Sequence, residues 1–160
     1  MKFSKYCLSA VVLAALVSAG CSTTAGGKAE EQKPQIDEIA PIQLGVVIAK
    51  GKDLGDKLLR AYQTNDYKAA EALNIGDDKN KFSQARFDRL VKIFNQFGGI
   101  TQYSYMGDLN MKPARRLFWK VSFKGSEKVP AAADKDMLFE VRIAMLNGQC
   151  RIVGFGLLPY

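Results

Sequence analysis

Apolar residues recur along this chain with two periods, and the switch between them falls at Gly98-Gly99. Ahead of it the spacing is helical. Leu54, Leu58, Ala61 and Tyr62 stand at i, i+4, i+7 and i+8 and predict a helix over roughly Lys50 to Thr64. Gln43 to Ala49 either extends that helix or forms a separate turn, and Gly51 and Gly55 read as residues of close helix packing. Asn65 or Asp66 is placed to cap a short second helix, Tyr67 to Leu73, which Gly76-Asp-Asp-Lys-Asn ends. Ser83 opens the third helix, which runs to Phe97 with Phe87, Leu90, Val91, Phe94 and Phe97 on one stripe. Three phenylalanines on that face make it the helix expected to lie across a sheet.

After the two glycines the period becomes two. Ile100 to Asn110 predicts a strand with an irregularity at Gly107-Asp108. Ala114 to Lys124 predicts another, with Leu117, Trp119, Val121 and Phe123 on one face and Arg116, Phe118, Lys120, Ser122 and Lys124 on the other. If it neighbours the last hairpin, Lys120 or Lys124 is expected near Glu140. Gly125 to Lys135 reads as a loop. Asp136 to Leu158 then forms a hairpin about Asn147-Gly148, whose two central positions need positive φ. Counting outward from that turn pairs Leu146 with Gln149, Met145 with Cys150, Ile143 with Ile152, Val141 with Gly154 and Phe139 with Gly156. This puts Glu140, Arg142 and Arg151, among Leu138, Val153 and Phe155, on the opposite, partly covered face. Gly154 and Gly156 would leave a notch on the apolar face. Either the third helix fills it, or it floors a candidate pocket of Gly154, Gly156, Phe139, Val141 and Phe94.

The beginning of the chain has a different character. Residues 1–20 carry Lys2, Lys5 and an apolar run from Cys7 to Val17, followed by small residues up to a cysteine. This resembles the lipobox of bacterial lipoproteins, with Ser18 where that family usually has Leu. The resemblance implies that residues 1–20 are a signal peptide, that Cys21 is lipidated, and that the protein is held in the cell envelope. Ser22 after the cysteine favours the outer membrane, on its periplasmic side. Residues 21–41 have no apolar period and predict the lipidated cysteine and a flexible tether, on the order of 25 Å long. Residues 42–160 are then a single domain. Cys150 is left as the one thiol, on the apolar face of the hairpin. Removing Lys2 and Lys5 takes the charge from +7 to +5, 21 basic residues against 16 acidic. That excess is interspersed, so no nucleic-acid partner is expected; the membrane is the partner that the lipid implies.

The chemical search is short. The chain has no histidine, which excludes Ser-His-Asp and Cys-His triads. Asp77-Asp78 is the tight acidic pair and reads as a solvated turn, so no metal and no cofactor is expected. Gly51-x-x-x-Gly55-Asp-Lys57 lacks the spacing of a phosphate loop. Helices followed by antiparallel strands read as α+β. On Leu58 to Ala70, Phe87 to Gly99 and Gly148 to Leu157, the chain resembles the nuclear-transport-factor-2-like (cystatin-like) superfamily. The resemblance implies N-terminal helices packed on a curved, mainly antiparallel four-stranded sheet that often encloses a pocket. Enzymes of that superfamily place Asp/His or Tyr/Asp pairs there. The first pair is impossible here; Tyr103, Tyr105 and Asp108 are the residues that would imitate the second. The expectation is a non-catalytic domain that binds a small apolar ligand or an envelope protein. Alternatives are a small-cavity isomerase or hydrolase, or a structural subunit docked through Phe118, Leu138, Val153 and Phe155.

Overall fold

Two glycines decide how the helices meet the sheet. The computed structural model describes residues 36–39, 43–76, 82–125 and 136–158, all within the compact unit Gln32–Tyr160. The signal, Cys21, Asp77-Asp78 and the 126–135 loop lie outside the described residues. Helix α1 runs unbroken over Leu44–Thr64, so the stretch before Lys50 extends it. A Cβ on Gly51 would collide with the Ile143 side chain, and one on Gly55 with the Trp119 indole. The α1 backbone therefore rests directly on the sheet, the position expected of the third helix. The short α2 (Tyr67–Glu71) is capped by Asp66, whose carboxylate accepts from the Ala69 N–H at 3.0 Å. Helix α3 (Gln84–Gln96) begins at Ser83, which caps the Arg86 N–H, and ends at the positive-φ pair Gly98-Gly99. It packs Phe94 near Phe123 and Phe139 and stacks Phe87 on Tyr62 of α1, with ring centroids 4.7 Å apart.

Four long strands follow: β2 (Ile100–Met111), β3 (Ala114–Phe123), β4 (Asp136–Leu146) and β5 (Gln149–Leu157). They make a curved, unclosed antiparallel sheet in which β4 pairs with both β3 and β5, and β2 lies outside β3. The helices cover one face, giving the predicted α+β class. Leu117, Trp119, Val121, Phe139, Val141, Ile143 and Ile152 are fully buried under them.

A fifth strand, β1, comes from an unexpected place. Ile36–Asp37 pairs with the end of β4, Ile36 opposite Leu146. Glu38 then meets Lys112 at 2.7 Å, and Ile39 packs on the core. The chain is thus ordered inside the 21–41 stretch predicted to be tether. The end of β4 offers backbone groups that need partners, and β1 supplies them.

The hairpin register also departs from simple counting. Leu146–Gln149, Met145–Cys150 and Ile143–Ile152 pair as predicted, but the next pair is Arg142–Gly154, followed by Val141–Phe155, Glu140–Gly156 and Phe139–Leu157. Val153 is the extra residue of a bulge, which reverses the facing of everything after it. Phe155 consequently turns inward, 7% exposed, with its ring near Tyr62, Phe82 and Phe139. A regular strand would have left that ring outside and two glycines inside. Burying a phenyl group stabilises by about 1.5–3 kcal/mol, enough to favour the bulge.

Candidate functional site

The predicted glycine pocket is not assembled. Phe94, Phe139 and Val141 lie in the core under the helices, whereas Gly154 and Gly156 stand opposite Arg142 and Glu140, the residues of the other face. The predicted docking face loses Phe155 for the same reason. On that outer face Glu140 is 6% exposed, with Arg116 and Arg142 each 3.4 Å from its Oε1. Lys120 pairs instead with Asp136 at 2.8 Å, correcting the partner expected for Glu140.

Chemistry-bearing side chains gather on the inner face, where α1 passes over β2 and β3. The bulge at Met106 keeps both Tyr105 and Asp108 in register with inward residues, Trp119 and Leu117. Tyr105 donates its hydroxyl to Asp108 Oδ1 at 3.3 Å, and Arg115 forms an ion pair with the same carboxylate at 2.5 Å. Arg115 and Asp108 are only 12% and 17% exposed. A second carboxylate, Asp56, is held by α1 one residue after the close-packed Gly55. It accepts from Trp119 Nε1 at 2.8 Å and from Lys52 Nζ at 2.8 Å. Tyr103 donates to the Asp56 carbonyl at 3.3 Å. The two halves touch through rings, since Tyr105 meets Trp119 edge-on at 5.2 Å and Lys52 Nζ stands 6.0 Å from the Tyr105 centroid.

The electrostatics follow from these partners. Partial burial, then the Asp108 charge and hydrogen bond, push the Tyr105 phenol above its ordinary value, so it remains a donor at neutral pH. The hydrogen bond and charge of Asp56 raise Lys52 and keep it cationic. Cys150 lies elsewhere, near the start of α1, and burial pushes its thiol up, against its use as a nucleophile. Among the described residues, no three Cys, Asp or Glu side chains come together as metal ligands.

Of this group the sequence pointed to Tyr103, Tyr105 and Asp108. It did not point to Lys52, Asp56, Arg115 or Trp119 as site residues. Arg115 did carry a signal, because strand alternation puts it on the face of Leu117 and Trp119, where a charge needs a partner. Asp56 followed a glycine already read as a close contact.

Comparison with solved structures finds three that this chain resembles in part, two of them named as NTF2 proteins. A variant of Rd1NTF2_05 aligns over 74% of this chain and 100% of its own, at 12% identity and TM-score 0.42. A de novo designed protein with a curved β-sheet aligns over 68% of this chain and 98% of its own, at 13% identity and TM-score 0.39. An NTF2-like protein of unknown function from Cytophaga hutchinsonii aligns over 68% of this chain and 88% of its own, at 12% identity and TM-score 0.33. No family model and no curated protein matches the chain.

Proposed function

We propose that this is an envelope lipoprotein, held by lipid on Cys21 at the periplasmic side of the outer membrane, whose domain binds a small ligand without transforming it. The observation that supports binding is how the two inner carboxylates are used. Asp56 is bonded to Trp119 and Lys52, and Asp108 to Arg115 and Tyr105, so both carboxylates are already engaged by donors of the protein itself. What the cluster still offers is donors, on Lys52 and Arg115, beside aromatic rings. That suits a ligand with an apolar body and an acceptor head group.

The Tyr105–Asp108 bond favours a second reading, a small-cavity isomerase or hydrolase in which the phenol protonates or polarises a carbonyl. Native mass spectrometry of the protein extracted from its own membranes separates the readings. Binding predicts an unmodified co-purifying molecule that Arg115→Met releases; a chemically altered molecule recovered after incubation would favour the enzyme. No adduct with either form would count against both.

A further inference from the structure

Most of the large apolar side chains exposed among the described residues sit at one end of the domain, where β1 begins. Arg115 pairs with Ile143, so the β2–β3 and β4–β5 turns point the same way. Strand β1 pairs antiparallel with the last residues of β4, and Glu38 bonds Lys112 in the β2–β3 turn. Ile36, the first residue of β1, therefore stands at the end of the domain that carries these turns. The start of α1 lies there too, because the Cys150 thiol at the base of the β4–β5 turn reaches the Val47 carbonyl at 3.9 Å. Ile36, Val46, Leu109 and Met111, all at this end, are 44–58% exposed, four of the six large apolar side chains exposed among the described residues. Lys50 lies close enough to Cys150 to act on its thiol, and Lys112, paired with Glu38, lies in the β2–β3 turn.

We infer that this end is a membrane-docking face that seats Ile36, Val46, Leu109 and Met111 in the lipid interface. The inference rests on the lipid anchor proposed above. Fourteen residues separate Cys21 from Ile36, and a flexible linker of that length would span about 20 Å, short enough for a lipid on Cys21 to hold the β1 end of the domain near the bilayer. Apolar side chains beside lysines are the composition that binds an anionic interface. Docking there would also bring the Arg115–Asp108 pair, at the start of β3, nearer the lipid surface than the Lys52–Asp56 pair at the middle of α1.

Depth measurement tests this. In the mature full-length chain carrying Cys150→Ala, a fluorophore is attached through Met111→Cys or, at the far end of β3, through Lys124→Cys. Each protein is reconstituted in phosphatidylethanolamine–phosphatidylglycerol vesicles containing brominated lipid. Quenching several-fold stronger at position 111 than at 124 is expected, and Leu109→Asp should lower it. Equal quenching at both positions overturns the inference, as does a position-111 label protected by self-association and untouched by lipid. Mass spectrometry of the same sample reports separately whether Cys21 carries acyl chains. If it carries none, the anchor reading fails, and the protein is added to preformed vesicles from solution. Selective quenching at 111 then upholds the docking face, and its absence overturns it.

Discussion

Gly154 stands across from Arg142, and the guanidinium occupies the space its missing side chain leaves. A Cβ on Gly154 would come within 2.6 Å of Arg142 Nη2. From there Arg142 reaches Glu140, a carboxylate whose side chain is 8% exposed and needs positive neighbours to be buried. Gly154→Val should displace Arg142 and cost about 1–3 kcal/mol in urea unfolding, through the weakened Glu140 pairing. Gly156 has open space where its Cβ would stand, and Gly156→Ala should stay within about 0.5 kcal/mol. Equal losses at both positions would show that strand entropy, not the arginine, sets the effect. Arg142→Ala should also remove most of the Gly154→Val penalty.

Gly55 is the more demanding position. The nearest atoms to an added methyl belong to the rigid, fully buried Trp119 ring. Gly55→Ala should lift α1 and destabilise by about 1–3 kcal/mol despite alanine's better helix propensity. Gly51→Ala meets the flexible end of Ile143 and should cost less. A stabilised Gly55→Ala protein would contradict the close contact.

The single tryptophan reports on the candidate site directly. Asp56→Ala removes the acceptor for Trp119 Nε1 and the anchor of Lys52. It should cost about 1.5–3 kcal/mol, the range for hydrogen bonds to charged groups, and change the Trp119 emission. Unchanged emission and stability would mean that the bond does not persist in solution.

The β1 attachment should be pH-sensitive. The hydrogen bond and charge of Lys112 hold Glu38 below its ordinary value of 4.5. A lowered carboxylate contributes stability above pH 4.5 and loses it as the pH falls through the depressed value. Glu38→Gln should therefore melt below the parent at pH 7, with the gap closing in more acidic buffer. A chain starting at Ile42 lacks β1 altogether and should exchange the Met145 and Leu146 amides faster. A gap that does not narrow as the pH falls below 4.5, or unchanged exchange, would dissociate β1 from the fold.

At Cys21 the expectation is biochemical. Cys21→Ser should leave an unprocessed precursor without a fatty-acid label in metabolically labelled cells. Normal processing of that variant would make the segment an ordinary secretory signal and remove the anchor.

The sequence by itself determined the order and nature of the elements from α1 to β5. Helix caps at Asp66 and Ser83, the Phe87–Phe94 stripe, the Asn147-Gly148 turn and the alternation of Leu117, Trp119 and Val121 all act within a few residues, so local physics decides them. Tertiary structure decided what depends on competition between distant parts. Whether Phe155 or Gly154 faces inward depended on a buried ring repaying a bulge, with Tyr62 and Phe82 supplying the ring's neighbours. Whether Ile36 was tether or strand depended on backbone groups left open at the far end of β4. The cluster of Asp56, Trp119, Tyr105, Asp108 and Arg115 needed α1 laid across β2 and β3. Each partner sits at an unremarkable position in its own segment, and charges acquire a common site only once packing has brought the segments together.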